Sequence, residues 1–421
     1  MKIRDLGDRG ANIVARGSIL VFFVMAFEVM IMISPFAFFF YSVFNPIFHW
    51  LDAYSATRWL THFFLPHMVL PPTLPLKIIR VVGSVLFVLG CATFIVCALQ
   101  IYLGKLFKPG IAHRGVYRYV RHPQYTSLAI WGIGMAILWP RFIVLATLSI
   151  MLILYYFLAR DEERRMVARY GDSYREYRFA TGMFLPSLGI HQPPPHRSTR
   201  PFSLRRIFAL ASVVLVVLGA GFVCRAVTLS ALPLRSRDNV TLVSIMPEDG
   251  IKETAILRAV SRGDIGFLSK SGDYLGYEMP PDYIMQGMIA DTGSTHHLYK
   301  QHHTVGLIVD WVLHPFEHLR RSPSARMARA MNVDPAVARR HHCPLGISDQ
   351  PDCEHCTYRR VIFVQVTSPS SKRLSGKGLF ALDTTRIPIG FIDIDTTTGK
   401  ILHAERVPPT TAWSGVPTPE I

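Results

Sequence analysis

What the chain lacks narrows it first. It carries no phosphate-binding glycine loop, no dinucleotide fingerprint, no Gly-x-Ser-x-Gly elbow and no nucleic-acid-binding motif. Nucleotide-driven motors, nicotinamide enzymes, esterases of the elbow type and nucleic-acid binders are therefore without support. No internal repeat or heptad runs through it, which argues against solenoids and long coiled coils. Acidic side chains are scarce: 29 Asp and Glu face 45 Lys and Arg, for a formal charge of +16. Without a nucleic-acid motif, anionic lipid is the natural partner for that excess. Cysteines number six in 421 residues, and Cys91, Cys97 and Cys224 fall in apolar runs where packing is their ordinary role.

What is present is apolar. Half of the residues are hydrophobic, concentrated before about position 232. Ser18 to Phe44 and Ile78 to Leu103 each exceed the roughly 20 residues that a bilayer helix needs. Thr126 to Trp139 and Phe142 to Ala159 are shorter and are separated by Pro140-Arg141, which breaks the helix and lets the chain reverse, so they read as a helical hairpin. Ile207 to Leu232 supplies a fifth span, interrupted only by Arg225. The first run is too long for a cleavable signal and no small-residue cleavage pattern follows it.

Basic residues orient these spans. Lys105, Lys108, Arg114, Arg118 and Arg121 fill one loop, and Arg160 to Arg206 carries ten arginines against five acids. Both loops are expected to face the cytoplasm. The segment from Asn45 to Pro75, poor in charge and rich in aromatics, proline and histidine, suits the opposite interface. The amino terminus is then cytoplasmic and everything beyond about Arg235 lies outside. The expected setting is a multi-pass protein of a bacterial inner membrane.

The hairpin returns two polar clusters to one membrane face. His122-Pro123 stands where the third span begins, and Glu162-Glu163 where the fourth ends. Arg121 and His122 suit a carboxylate, and Tyr117, Tyr119 and Tyr125 offer flat faces with hydroxyl handles for a purine or ribose. Glu162 or Glu163 can accept from ribose hydroxyls or an amine and favour a nearby sulfonium. Taken singly, a histidine before proline is a helix start and a Glu-Glu pair is a solvated helix end; ionisable groups at membrane depth are nevertheless functional candidates. Arg114, Arg118, Arg164 and Arg165 read as interfacial anchors. Glu28 is open between lining a substrate cavity, pairing inside the bundle and sitting protonated in lipid.

Gly115-Val-Tyr-Arg-Tyr-Val-Arg-His-Pro-Gln-Tyr125, then Glu162-Glu163 about 37 residues later, then Tyr170-Gly-Asp-Ser-Tyr-Arg-Glu-Tyr177, resembles the isoprenylcysteine carboxyl methyltransferase and phospholipid methyltransferase superfamily. The resemblance covers roughly Ile78 to Pro186. It implies an integral membrane enzyme using S-adenosylmethionine, with Tyr117, Arg121, His122, Tyr125 and Glu162 or Glu163 in the cofactor pocket. Gly132 and Gly134 resemble the glycine pair of the family's cofactor-facing helix, although glycines are common in membrane helices. Ser127 stands where many relatives carry glycine. Methyl transfer from a sulfonium needs little acid or base chemistry when the acceptor is already a carboxylate or thiolate. Arg160, one turn before the glutamates, is the expected residue for orienting an anionic acceptor; an amine acceptor would instead need a base, for which Glu163 is the candidate.

Beyond Leu234 the texture becomes that of a water-soluble α+β domain. Strand-like runs occupy Val240 to Met246, Val361 to Ser368 and Ile387 to Asp395, and Ile401 to Val407 follows Thr398-Gly399 as a hairpin. Thr304 to Arg320 and Ser324 to Arg340 look helical. His341, Cys343, Cys353 and Cys356 offer ligands for zinc or another soft metal, though a disulfide among the cysteines competes, and neither is also open. Asp310, His314 and His318 fall at four-residue spacing near His296, His297, His302 and His303, but Pro315 argues against one continuous helix, and ordinary surface histidines explain them more simply.

The expected organisation is a helical membrane bundle of about five spans with a carboxyl-terminal α+β domain. Its parts are a methyltransferase-like membrane domain (1–189), a proline-rich linker (190–204) centred on Ile190 to Pro201, the fifth span (205–233) and the outer domain (234–421). The expected activity is methyl transfer from S-adenosylmethionine to a lipid or other hydrophobic acceptor. The alternative is a catalytically silent scaffold whose outer domain binds a protein partner or metal in a larger assembly.

Overall fold

A computed structural model describes residues 26–42, 50–51, 53–65, 74–107, 115–186, 204–244, 250–262, 265–279, 285–287, 299–301, 304–319, 358–369 and 373–406. The expected linker from Ile190 to Pro201, the helix from Ser324 to Arg340 and the tail from Pro408 to Ile421 lie outside them.

The first half is helical: α1 (Ala26–Tyr41), α2 (Leu74–Phe107), α3 (Pro123–Leu138), α4 (Phe142–Tyr170), α5 (Asp172–Ala180) and α6 (Leu204–Ala231). Among the described residues, Leu74–Ile101, Phe142–Tyr170 and Phe208–Ala231 are long and apolar enough to cross a membrane. The expected count of five is not reached on that criterion, because α3 has only 16 residues and the described part of α1 is similarly short. The fourth element also runs farther than expected, to Tyr170 instead of Ala159. Arg, Glu, Ala and Met propagate a helix well, and Asp161 pairs with Arg164 and Arg165 one turn on. The helix stops at Gly171, where φ is 56°.

α3 and α4 form the expected hairpin, closed over Trp139, Pro140 and Arg141. α2 lies tightly along α3 because glycines let the backbones meet. A Cβ on Gly134 would stand 2.5 Å from the Phe87 nitrogen, and one on Gly90 2.4 Å from that of Trp131. The core between α1, α3 and α4 is aromatic and aliphatic, built on Phe36, Phe39, Leu128, Val144, Leu148 and Met151.

The second half is a six-stranded sheet in the order β1 (Leu234–Arg237), β2 (Val240–Ser244), β3 (Asp273–Met279), β6 (Tyr358–Thr367), β7 (Thr385–Asp395) and β8 (Lys400–Arg406), with β4 (Met285–Gly287) and β5 (Tyr299–Gln301) paired separately. Within the six-stranded sheet neighbours are antiparallel except β2 and β3, whose parallel crossover passes through α7 (Ile251–Arg262), and β4 and β5 also pair parallel. Ile256, Leu257 and Val260 of α7 cover one sheet face, over Leu242, Tyr274, Val361 and Ile394. The other face packs on Leu379 and Phe380 and receives Leu229 and Leu232 from the end of α6. The expected helix from Thr304 to Arg320 is two pieces, α8 (Thr304–Leu313) and α9 (Pro315–Leu319), divided at the proline.

The two halves meet around three buried arginines. Arg141 of the hairpin turn donates to the Thr61 carbonyl and lies over the Phe63 ring. Arg225 of α6 donates to the carbonyls of Phe63 and Phe380, and Arg386 of β7 donates to those of Leu379 and Ala381 and meets His62 Nδ1 at 3.2 Å. The carbonyls they serve lie in two short 3-10 helices and the residues just after them. A guanidinium presents five donors in a fixed fork and can satisfy several such groups at once. The sheet domain therefore abuts the turn end of the α3–α4 hairpin.

Candidate active site

The open end of the same hairpin gathers the polar residues. Gly115–Arg118 forms one turn of 3-10 helix entered at Gly115, where φ is 59° and a Cβ would stand 2.6 Å from the Gln100 side chain. The positive φ favours glycine, whereas the Gln100 amide, at the end of a flexible side chain, could shift to admit a Cβ. His122 then caps α3 with proline at the first helical position, and α4 brings Glu162 and Glu163 alongside about two turns before its end.

Glu163 is the hub. Its Oε1 accepts from Arg121 Nε at 2.7 Å and lies 3.5 Å from His122 Nε2, while Oε2 is 3.5 Å from Arg178 Nε. Glu162 Oε2 lies 3.5 Å from His122 Nδ1 and accepts from the Tyr125 hydroxyl at 3.4 Å. Glu163 is buried, whereas the Glu162 side chain is 40% exposed. Neither His122 nitrogen completes a hydrogen bond among the described residues, although the ring is buried. Burial pushes the imidazole pKa down, but Glu162 and Glu163 more than reverse this and hold it above its usual value.

An aromatic ladder supports the imidazole. Tyr125 stacks beneath His122 with centroids 5.6 Å apart, and Tyr155 stacks beneath Tyr125 at 4.9 Å. The Tyr155 hydroxyl donates to the Met32 carbonyl, tying the ladder to α1. Tyr155, Ala159 and Glu163 are buried at successive four-residue steps of α4. That spacing was the available signal for Tyr155, which sequence reasoning missed.

A strap crosses the cluster. After α5 the chain pairs with the motif: Arg121 and His122 donate backbone N–H to Gly182 and Met183 carbonyls at 2.9 and 3.1 Å. Arg121 Nη1 donates to the carbonyls of Arg178 and Thr181, and the Tyr177 hydroxyl donates to that of Tyr117 at 2.6 Å. Burial raises the Tyr177 pKa to about 12, against the opposing pull of Arg121, so it remains a neutral donor. Arg178 and this strap are further residues that sequence reasoning did not assign.

The structure thus brings Arg121, His122, Tyr125, Glu162 and Glu163 together. Tyr117 is close by but buried, its hydroxyl donating to Gln124 Oε1 at 2.9 Å. Arg160 stands apart: it is exposed on α4 and reaches the Tyr156 hydroxyl at 3.2 Å. Tyr119 is exposed. Gly134 packs against the α2 backbone and Gly132 against Leu148 and Met151, so both serve interhelical contacts. His341, Cys343, Cys353 and Cys356 lie outside the described residues. Among the described residues no group of three His, Cys, Asp or Glu is placed to hold a metal ion.

Comparison with known proteins supports the resemblance seen in the motifs. Residues 85–168 match the model of the isoprenylcysteine carboxyl methyltransferase family. A protein-S-isoprenylcysteine O-methyltransferase of Schizosaccharomyces pombe is 40% identical over 67 residues, which are 15% of this chain and 28% of that protein. The chain thus spans little more than a quarter of the length of that relative. No solved structure matches it. The matched stretch contains the ends of the cluster, from Arg121 to Glu163, and stops before the strap.

Proposed function

We propose that the chain is a membrane methyltransferase that moves the methyl group of S-adenosylmethionine to a carboxylate carried on a hydrophobic molecule. The observation that carries this reading is the junction of the buried His122 imidazole with Glu162 and Glu163 inside the family-like segment. The donor set suits such a cofactor. His122 has two buried nitrogens without a completed hydrogen bond, Arg178 is partly exposed beside Glu163, and Glu162 presents its carboxylate to solvent.

When bound, S-adenosylmethionine supplies an electrophilic methyl on a sulfonium. The imidazolium of His122 and the Arg178 guanidinium would hold the cofactor carboxylate by charge-assisted contacts. Glu162 accepts from an amine or ribose hydroxyl. Glu163, committed to Arg121, fixes the imidazole and the strap in place and adds negative potential. An anionic acceptor needs no base, and among the candidates that frees Glu163 from the role an amine would demand. A site shielded from water would favour charge neutralisation between sulfonium and carboxylate.

In this arrangement the cluster faces the cytoplasm, the source of the cofactor, and the sheet domain lies across the membrane. The acceptor enters sideways from lipid between the helices. The test is calorimetric binding of S-adenosylmethionine to the detergent-solubilised chain, compared with His122→Ala and Glu163→Ala. Micromolar binding by the native chain and loss in both variants is the expected result. Absence of binding by a folded native chain would favour a silent scaffold. Tracing a labelled methyl group in membrane extracts, with and without the protein, identifies the acceptor.

A further inference from the structure

We propose that α8 and α9 of the sheet domain form a monotopic membrane helix, seated in the bilayer boundary at the end of α2 opposite the His122 cluster. Ile308 and Trp311 of α8 are buried, and Trp311 lies under Arg80 of α2 with the guanidinium carbon 5.9 Å from the ring centroid. Arg80 stands six residues into α2, about 9 Å along the helix from Leu74 at the usual rise per residue. The contact is therefore inside the apolar span Leu74–Ile101. A tryptophan against an arginine one to two turns inside a span is the chemistry of the interfacial belt.

The remaining surface of the helix points to its occupant. Val305, Val309, Leu313 and Phe316 are exposed, Leu313 at 65% and Phe316 at 81%. The four-residue spacing of Val305, Val309 and Leu313 places them on one stripe of α8, about a third of a turn from the Ile308 and Trp311 face, and Phe316 belongs to α9. The i to i−4 ladder extends one residue past α8 to His314, whose N–H donates to the Asp310 carbonyl at 2.9 Å, so α9 follows directly on the end of the stripe. On α2, Leu74, Ile78 and Val82 are exposed as well, on the side turned away from Arg80, and these belong to a segment apolar enough to sit in lipid. The Arg80–Trp311 contact sets the stripe at the depth of that span, and acyl chains cover both surfaces. An amphipathic helix in this position lies about 5–10 Å into the headgroup and acyl boundary. It would give the sheet domain a second hold on the membrane besides α6, fixing its orientation over the bundle.

Fluorescence quenching in vesicles tests this. The full chain is reconstituted in phosphatidylcholine carrying bromines on the acyl chains, as Leu313→Trp and Phe316→Trp variants, with Leu402→Trp on the exposed face of β8 as the aqueous reference. The expected result is that the emission added at 313 and 316 is lost to bromines near the headgroup end of the chains more than to bromines near the methyl end, and is spared by aqueous iodide. Leu402→Trp shows the reverse. Quenching of 313 and 316 by iodide but not by bromolipid would overturn the proposal, placing the stripe in water. Protection from both quenchers, with a dimer in sedimentation, would overturn it in favour of a second copy of the chain.

Discussion

Arg225 Nη2 donates to the Phe380 carbonyl at 2.6 Å while its Nη1 donates to the carbonyl of Phe63. One side chain in the last turns of α6 thereby joins the loop that backs the helical hairpin to the turn that underlies the sheet. A charge within a span is costly unless its donors are used, and here they are.

Arg225→Met is accordingly expected to lower thermal stability more than its conservative volume suggests. It leaves two carbonyls at the junction without their donor, and each buried acceptor left unsatisfied costs about 1–3 kcal/mol. Thermal unfolding in detergent reads the loss. Because the junction lies at the hairpin turn, affinity for S-adenosylmethionine should change far less than stability.

The two neighbouring glutamates should separate stability from binding. Glu163→Ala removes the partner of Arg121 at a site where both are nearly buried, and breaking such a pair costs about 3–5 kcal/mol. Glu162→Gln keeps a hydrogen-bonding group at a half-exposed position, so unfolding temperature should hold while cofactor affinity falls. Equal loss of stability in both variants would contradict the hub role of Glu163.

A pH dependence follows from His122. Its pKa is raised in the folded state above the ordinary 6.5. The stabilisation from its two carboxylate neighbours is thus complete below about 6.5 and disappears as pH rises through the folded value. Unfolding temperatures measured from pH 6 to pH 9 should fall for the native chain, with that component absent in His122→Gln.

Two glycines in helices should respond oppositely to one added methyl. At Gly134 a Cβ meets the Phe87 backbone, which cannot move without parting α2 from α3, and overpacking of that kind costs about 1–3 kcal/mol. At Gly219 of α6 a Cβ meets nothing within 4 Å. Gly219→Ala should be neutral or stabilising, by up to about 1 kcal/mol from backbone entropy. Parallel thermal melts of the two variants check the contrast.

Arg160 offers a check on acceptor chemistry. It is exposed and engaged with Tyr156, away from the cluster. Arg160→Ala should leave S-adenosylmethionine affinity within about twofold, as surface substitutions usually do. An altered KM for the acceptor with unchanged cofactor affinity would assign it to the acceptor path.

Much of the architecture was legible locally. Pro140 stops a helix wherever it stands in one, so the hairpin was readable without tertiary information. The strands at Val240, Val361 and Ile387 carry enough β-branched and aromatic residues to declare themselves, as does the turn at Thr398-Gly399, where φ of Gly399 is 69°. β3 was harder, since Asp273–Met279 mixes Asp, Gly and Glu among Tyr and Leu and is buried by its neighbours β2 and β6. α7 went unread because its apolar face is only Ile256, Leu257 and Val260, a weak stripe until the sheet is there to cover.

For the site, residue order along the chain by itself determined that an imidazole and two carboxylates return to one end of a helical pair, because helix period and a proline turn are local properties. What only the tertiary structure decided is which partner each group takes. Arg121 turns to Glu163 and to the strap carbonyls, Tyr125 is pinned between His122 and Tyr155, Arg160 points outward, and Arg225 bridges two segments more than 150 positions from it in sequence. Side-chain pairing depends on rotation about each helix axis and on which backbone carbonyls remain unused, and neither quantity exists until the helices have packed.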